Sequence, residues 1–122
     1  GHEVTIATPK GGQAPIDPNS ETEAAQTEAT ERYNKDENVK ALIAKTHVLA
    51  KEKAEDYDAI FYPGGHGPLW DLAEDKTSIA LIEAFYTNKK PVAFVCHSPG
   101  ALKNVKVKMW ENYIDFTNRK IE

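Results

Sequence analysis

A single cysteine followed at once by a histidine, Cys96-His97, stands where the apolar run Val92-Ala93-Phe94-Val95 meets Ser98-Pro99-Gly100-Ala101-Leu102. These residue types in this order predict a strand, a sharp turn and the opening of a helix, because Pro99 in a first helical turn forfeits no hydrogen bond. A nucleophile on such a turn is pushed out of the sheet, and the amides around it face the place an oxyanion would occupy. A helix N-terminus and a nearby imidazole both favour thiolate over thiol. Cys96 is therefore a candidate nucleophile and His97 its acid–base partner, provided that the turn brings the imidazole of a sequence neighbour back to the sulfur. The competing readings are a buried structural thiol and a surface histidine. Several independent features agreeing on one geometry favour the reactive pair.

One of those features is a glycine-rich crest. Ala59-Ile60-Phe61-Tyr62 is an apolar run ended by Pro63-Gly64-Gly65-His66-Gly67, as in a buried parallel strand running into a loop. Sites in open α/β sheets form beyond the carboxyl ends of the strands, so the crest and Cys96 are expected to be neighbours. Gly64, Gly65 and His66 are the candidate oxyanion and substrate-binding residues. The backbone amides of Gly65 and His97 are the natural oxyanion donors, a kind of contact whose removal typically costs about 3 kcal/mol in the transition state. For His66 a structural loop role and substrate contact stand level. Leu69 and Trp70 are expected to pack the crest against the following helix.

The elements that must hold these residues read as follows. Ile79, Leu81, Ile82, Phe85 and Tyr86 recur on a helical period between Asp75 and Asn88, with Asp75 or Thr77 available as a cap, and Asn88-Lys89-Lys90-Pro91 ends the segment. Glu3-Val4-Thr5-Ile6-Ala7 reads as a short strand stopped by Thr8-Pro9-Lys10-Gly11-Gly12. The stretch Glu21 to Asn38 holds Glu, Thr, Ala and Gln with almost nothing apolar, which predicts a solvated helix or a mobile excursion. The order strand, crest, helix, strand, elbow, helix belongs to an α/β protein.

Composition narrows the classes further. The 122 residues suit one domain, 1–122, with 40% apolar and 28% charged residues. A formal net charge of −4 without a basic, aromatic-interleaved stripe argues against nucleic acid as a partner. No run approaches the roughly 18 apolar residues of a membrane span, and no apolar leader is present at the start. A cytoplasmic protein without membrane attachment is expected. One cysteine excludes an intramolecular disulfide and a multi-cysteine zinc site, so no metal is expected.

The run Tyr57-Asp58-Ala59-Ile60-Phe61-Tyr62-Pro63-Gly64-Gly65-His66-Gly67-Pro68-Leu69-Trp70, together with Val95-Cys96-His97-Ser98-Pro99-Gly100, resembles the ThiJ/PfpI superfamily within the class I glutamine amidotransferase-like fold. More narrowly, it is similar to the branch of heat-shock chaperones that act as glutathione-independent glyoxalases. Thr8-Pro9-Lys10-Gly11-Gly12 with Pro15, Asp17-Pro18 and Ser20 extends the likeness over nearly the whole chain. The resemblance implies a flavodoxin-like, three-layer α/β/α fold with a parallel sheet and a nucleophile elbow at Cys96. It also implies conversion of a small aldehyde, methylglyoxal, to lactate without a cofactor. A stress-response chaperone or redox sensor, and a cysteine peptidase or amidase, are the other activities it admits.

Two features depart from the branch. The resemblance implies a first acidic residue upstream of Gly1, in an initial strand, and further strands after Phe116-Thr117-Asn118, so an incomplete domain is expected. The carboxylate that orients the histidine follows a Phe-Thr-Asn step. Here Phe116-Thr117-Asn118 leads to Arg119-Lys120-Ile121-Glu122, so the expected position falls on Ile121, and Glu122, one place later, is the catalytic candidate. A missing strand would leave apolar edges exposed, which predicts a marginal monomer: either a partner segment supplies the strand, from a second chain as in a homodimer or from residues outside this sequence, or the chain is a fragment unable to fold alone.

Overall fold

The structure, a computed structural model, describes residues 1–109 and 112–115, and of residues 108, 109 and 112–115 the backbone alone. The chain divides into two compact units, Gly1–Lys51 and Glu52–Glu122.

In the first unit, β1 (Ala7–Thr8) pairs in parallel with β2 (His47–Val48), Ala7 opposite His47 and Thr8 opposite Val48. The strand expected over Glu3 to Ala7 is thus reduced to its end. Its partner is only two residues long, and upstream of β1 the Ile6 carbonyl still accepts the His47 amide at 2.8 Å. The chain then turns back through Gly11 and Gly12, both at positive φ, and Gly12 bridges Thr46 in antiparallel fashion. Only glycine fits at Gly11, where a Cβ would stand 2.7 Å from Val48 Cγ2. The half-buried Thr8 and buried Thr46 hydroxyls meet at 2.9 Å, and Thr46 Oγ1 donates to the Gly12 carbonyl at 2.7 Å.

Between β1 and β2 the polar stretch forms two short 3₁₀ turns and two helices, α1 (Glu28–Lys35) and α2 (Glu37–Ala44), none of which buries a residue. With so little apolar surface to hide, these helices depend on their ends. Thr27 and Thr30 form a reciprocal capping box on α1, and Asp36 accepts the Asn38 and Val39 amides at 3.0 and 3.1 Å to start α2.

The second unit carries the sheet whose strands run into the Gly64-Gly65 crest and Cys96. β3 (Ile60–Tyr62) and β4 (Val92–Phe94) are adjacent and parallel, with Ile60, Phe61 and Tyr62 opposite Val92, Ala93 and Phe94. They are joined through α3 (Gly67–Asp71) and α4 (Lys76–Thr87). Asp75 is the cap of α4, accepting the Ser78 amide at 2.7 Å. At the other end Lys90 N–H bonds the Phe85 carbonyl at 2.9 Å and Lys89 N–H that of Tyr86 at 3.0 Å, with Lys89 at φ 58°. This six-to-one, five-to-two pair is a Schellman motif, and Pro91 just after it bars continuation. Lys90 Nζ then donates to the carbonyls of Ala54 and Tyr57 at 2.7 and 2.6 Å, tying the strand's approach to the preceding loop.

The core of this unit is built on one face of the strand pair. Tyr62, Ile82, Ala101, Val105 and Val107 are buried together, with Ile60, Val92 and Phe94 packed against them. The rings of Tyr62 and Phe94 stack at 4.9 Å. The Tyr62 hydroxyl shares a 2.8 Å hydrogen bond with Ser78 Oγ, and burial raises the phenol's pKa above its ordinary value. The opposite face corrects the expectation of strands buried on both sides: Phe61 is 61% exposed, Val95 48%, and Ala93 is exposed as well. Side chains alternate along a strand, and the elements this unit supplies as cover all pack on the Tyr62 side. β5 (Lys106–Met109) and β6 (Asn112–Asp115) pair antiparallel, Lys106 opposite Asp115. Among the described residues no helix is long and apolar enough to cross a membrane.

A lysine at the left-handed position of a Schellman motif is strained, by about 1–2 kcal/mol for an L-residue, where glycine is not. Lys89→Gly should therefore raise stability by about 0.5–1 kcal/mol in urea unfolding, after the larger chain entropy of glycine is subtracted. No change, or a loss, would show that the φ of Lys89 is not strained.

Candidate active site

β4 ends at Phe94, and the four residues Val95 to Ser98 turn the chain back on itself, with Ser98 N–H bonded to the Val95 carbonyl at 3.1 Å. Cys96 occupies the second position of this turn at φ 62°, and His97 the third at φ −93°, ψ −7°. Positive φ at the first central residue alone is the signature of a type II′ turn, whose corner ordinarily belongs to glycine. A cysteine there holds a strained backbone, at a cost of about 1–3 kcal/mol. A 3₁₀ turn over Ser98–Leu102 follows, with Pro99 in its first turn. The result is an exposed thiol on a sharp corner at the carboxyl end of β4.

The same turn solves the problem of neighbouring residues in sequence. It brings His97 Nδ1 to 3.2 Å from Cys96 Sγ, so the imidazole reaches the sulfur beside which it was made. From β3 the crest closes on the corner. A Cβ on Gly64 would lie 2.6 Å from the Cys96 Cβ and 3.3 Å from the Val95 carbonyl oxygen, so this glycine permits the close approach. Gly65 serves a different need, with φ 89° and open space around it. Among the described residues, the N–H groups of Gly65 and His97 donate to no protein acceptor.

His66 joins this group through His97: the two rings lie with centroids 4.5 Å apart, tilted by 41°. Thus Cys96, His97, Gly64, Gly65 and His66 are brought together. The carboxylate expected at Glu122 lies outside the described residues. Leu69, 42% exposed, lies against the elbow's 3₁₀ turn and not against the following helix, its Cδ2 standing 2.3 Å from where a Cβ on Gly100 would be. Trp70 packs on neither, being 86% exposed. Neighbours on a one-turn helix such as α3 point about 100° apart, so Leu69 facing the elbow sends Trp70 into solvent. Asp71 at the end of α3 has its carboxyl pushed above the ordinary range, first by burial and then by the nearby Asp75. Among the described residues no group of three His, Cys, Asp or Glu is arranged to hold a metal ion.

Sequence reasoning passed over Ser98. Its side chain is fully buried, and it bonds the ends of both strands. Only a small hydroxyl residue at the last position of a four-residue turn hinted at it.

Parallel strands in an α/β arrangement, with a cysteine on a strained corner facing a glycine crest, define a cysteine-elbow protein. The chain belongs to the DJ-1/PfpI family, which matches residues 1–112. It is 33% identical over 69 residues to General stress protein 18 of Bacillus subtilis, covering 57% of this chain and 40% of that protein. It is 34% identical over 70 residues to the Glutathione-independent glyoxalase HSP31 of Saccharomyces cerevisiae, covering 57% of this chain and 30% of the relative. The solved structure of Rapid Encystment Protein (REP24) of Francisella tularensis superposes with a TM-score of 0.72 at 31% identity, over 79% of this chain and 42% of that one. The chain thus spans less than half the length of these relatives.

Two substitutions test the corner. Cys96→Gly removes the side chain that makes the positive φ costly, so it should be more stable than Cys96→Ala by about 1 kcal/mol in urea unfolding. Equal stabilities would mean that the corner is unstrained. Gly64→Ala should destabilise by about 1–3 kcal/mol through overpacking against Cys96, and much of that loss should return in the double variant with Cys96→Gly. Additive losses would place the crest elsewhere.

Proposed function

We propose that the chain carries the nucleophilic part of a cysteine-dependent enzyme acting on small reactive carbonyls, and that it converts methylglyoxal to lactate without glutathione. The observation that carries this reading is the exposed Cys96 sulfur at 3.2 Å from the His97 imidazole, on a corner that aims it out of the sheet. The name of the yeast relative, a glutathione-independent glyoxalase, supports the substrate class.

The chemistry needs only water besides the substrate. The thiolate adds to the aldehyde carbon, a C–S bond forms, and the carbonyl electron pair moves to oxygen, where the free Gly65 and His97 amides stabilise it. Protonation gives a hemithioacetal. Removal of the proton on that carbon and return of a proton to the neighbouring carbon oxidises the first and reduces the second, leaving a lactoyl thioester. His97 is the base placed beside the sulfur for this transfer, with the tilted His66 ring beside it. Hydrolysis of the thioester releases lactate and regenerates the thiol.

The exposure of Cys96 also suits a second reading, in which the cysteine reports oxidation during stress without turnover; the name General stress protein 18 supports that one. Lactate released from methylglyoxal separates them. The glyoxalase reading expects lactate from the unaltered protein, none from Cys96→Ala, and a rate lower by about 10²–10⁴-fold in His97→Ala. An unaltered protein that forms no lactate contradicts it.

A further inference from the structure

A type II′ corner filled by cysteine does not hold itself, because the unstrained alternatives for an L-residue lie at negative φ. Something must bind the chain on both sides of residue 96. The glycine crest permits the corner without fastening it, since Gly64 offers space rather than a bond.

Ser98 supplies the fastening. Its side chain is fully buried, and a buried hydroxyl is tolerated only where its bonds are made. Ser98 Oγ accepts the Val95 N–H at 2.8 Å. The same oxygen lies 2.8 Å from the Tyr62 carbonyl at the end of β3 and 2.8 Å from the Val95 carbonyl. One hydroxyl has a single proton to donate, so that proton is shared between the two carbonyls while the oxygen accepts the Val95 N–H. Together with the Ser98 N–H bond to the Val95 carbonyl, they close the turn twice across Cys96 and join it to the neighbouring strand.

We infer that Ser98 is a positioning residue for Cys96: its buried hydroxyl locks the Val95–Ser98 turn to the ends of β3 and β4 and thereby holds the sulfur against His97. Ser98 touches neither sulfur nor substrate and acts through the backbone of the turn. Without its oxygen the Val95 N–H loses its acceptor, the corner relaxes toward negative φ, and Sγ swings off the imidazole. The inference rests on the reading of Cys96 as the nucleophile but not on methylglyoxal as the substrate.

The test compares Ser98→Ala with Ser78→Ala, which removes an equally buried hydroxyl from the same unit, one that bonds the Tyr62 phenol on α4's side of the core. Two readouts are taken under native conditions: the rate of Cys96 alkylation by iodoacetamide, and kcat and KM for methylglyoxal. Displacing a reacting group by about 1 Å can cost as much as 10²-fold. Ser98→Ala should therefore lose at least about tenfold in alkylation rate and in kcat with KM changed less than about twofold, while Ser78→Ala reacts as the unaltered protein does. Equal losses in both variants, or an unchanged alkylation rate in Ser98→Ala, would overturn the assignment. If the unaltered protein makes no lactate yet Ser98→Ala alone slows alkylation, the positioning role stands and the glyoxalase reading falls. Should Ser98→Ala not fold, hydrogen exchange of the Val95 amide in the unaltered protein decides. Slow exchange supports the Ser98 bond, and exchange at the rate of an open amide excludes it.

Discussion

A side chain at the corner of a type II′ turn is the constraint on which this site depends. Cys96 at φ 62° is held where glycine would sit without strain, and that position gives the thiol its exposure and its 3.2 Å approach to His97. Strain of about 1–3 kcal/mol is a noticeable fraction of the 5–15 kcal/mol that holds an ordinary domain together. It persists because the turn is bonded on both sides of Cys96. Gly64 lies directly against the cysteine's Cβ, and Ser98 bonds the turn from beneath. The geometry therefore belongs to the backbone, and Cys96 and His97 inherit it.

The rest of the second unit explains why the corner has a fixed place. Parallel pairing of β3 and β4 in register puts Tyr62 beside Phe94, so the two strands end together and crest and elbow meet. Asp75 and the Schellman turn at Lys89 and Lys90 define both ends of α4, whose Ile82 and Phe85 are buried on the unit's packed side. Each element is short, so its ends carry much of its definition. The first unit is built differently, with caps and turns around two helices that bury nothing.

Most of the site's frame was legible in the residues. The apolar runs at Ile60–Tyr62 and Val92–Phe94, the helical period from Ile79 to Phe85, and the Gly-Gly and Cys-His-Ser-Pro punctuation each point to one local structure, and they agree. Periodicity could not reveal how much of each strand would be covered. An apolar run reads as buried on both faces, yet Phe61 and Val95 face solvent, because burial depends on what the remainder of the fold lays over them. For the same reason the orientation of Trp70 was lost, as a one-turn helix has too few residues to show a face. The strand before Gly11 was foreseen longer than it is, since a ladder extends only as far as its partner, here two residues. Ser98 escaped notice because a buried hydroxyl becomes visible only once its three backbone partners are in place.

The central claim is that the fold, and not the Cys-His dipeptide, makes the thiol reactive. Unfolding leaves His97 adjacent to Cys96 in the chain but removes the turn, so the unfolded protein is its own control. The decisive measurement is the rate of Cys96 alkylation by iodoacetamide at neutral pH in the native protein, divided by the rate in the same protein in urea. A ratio well above one is the result this account predicts. A ratio of one or below would mean that the corner at Cys96 confers no reactivity.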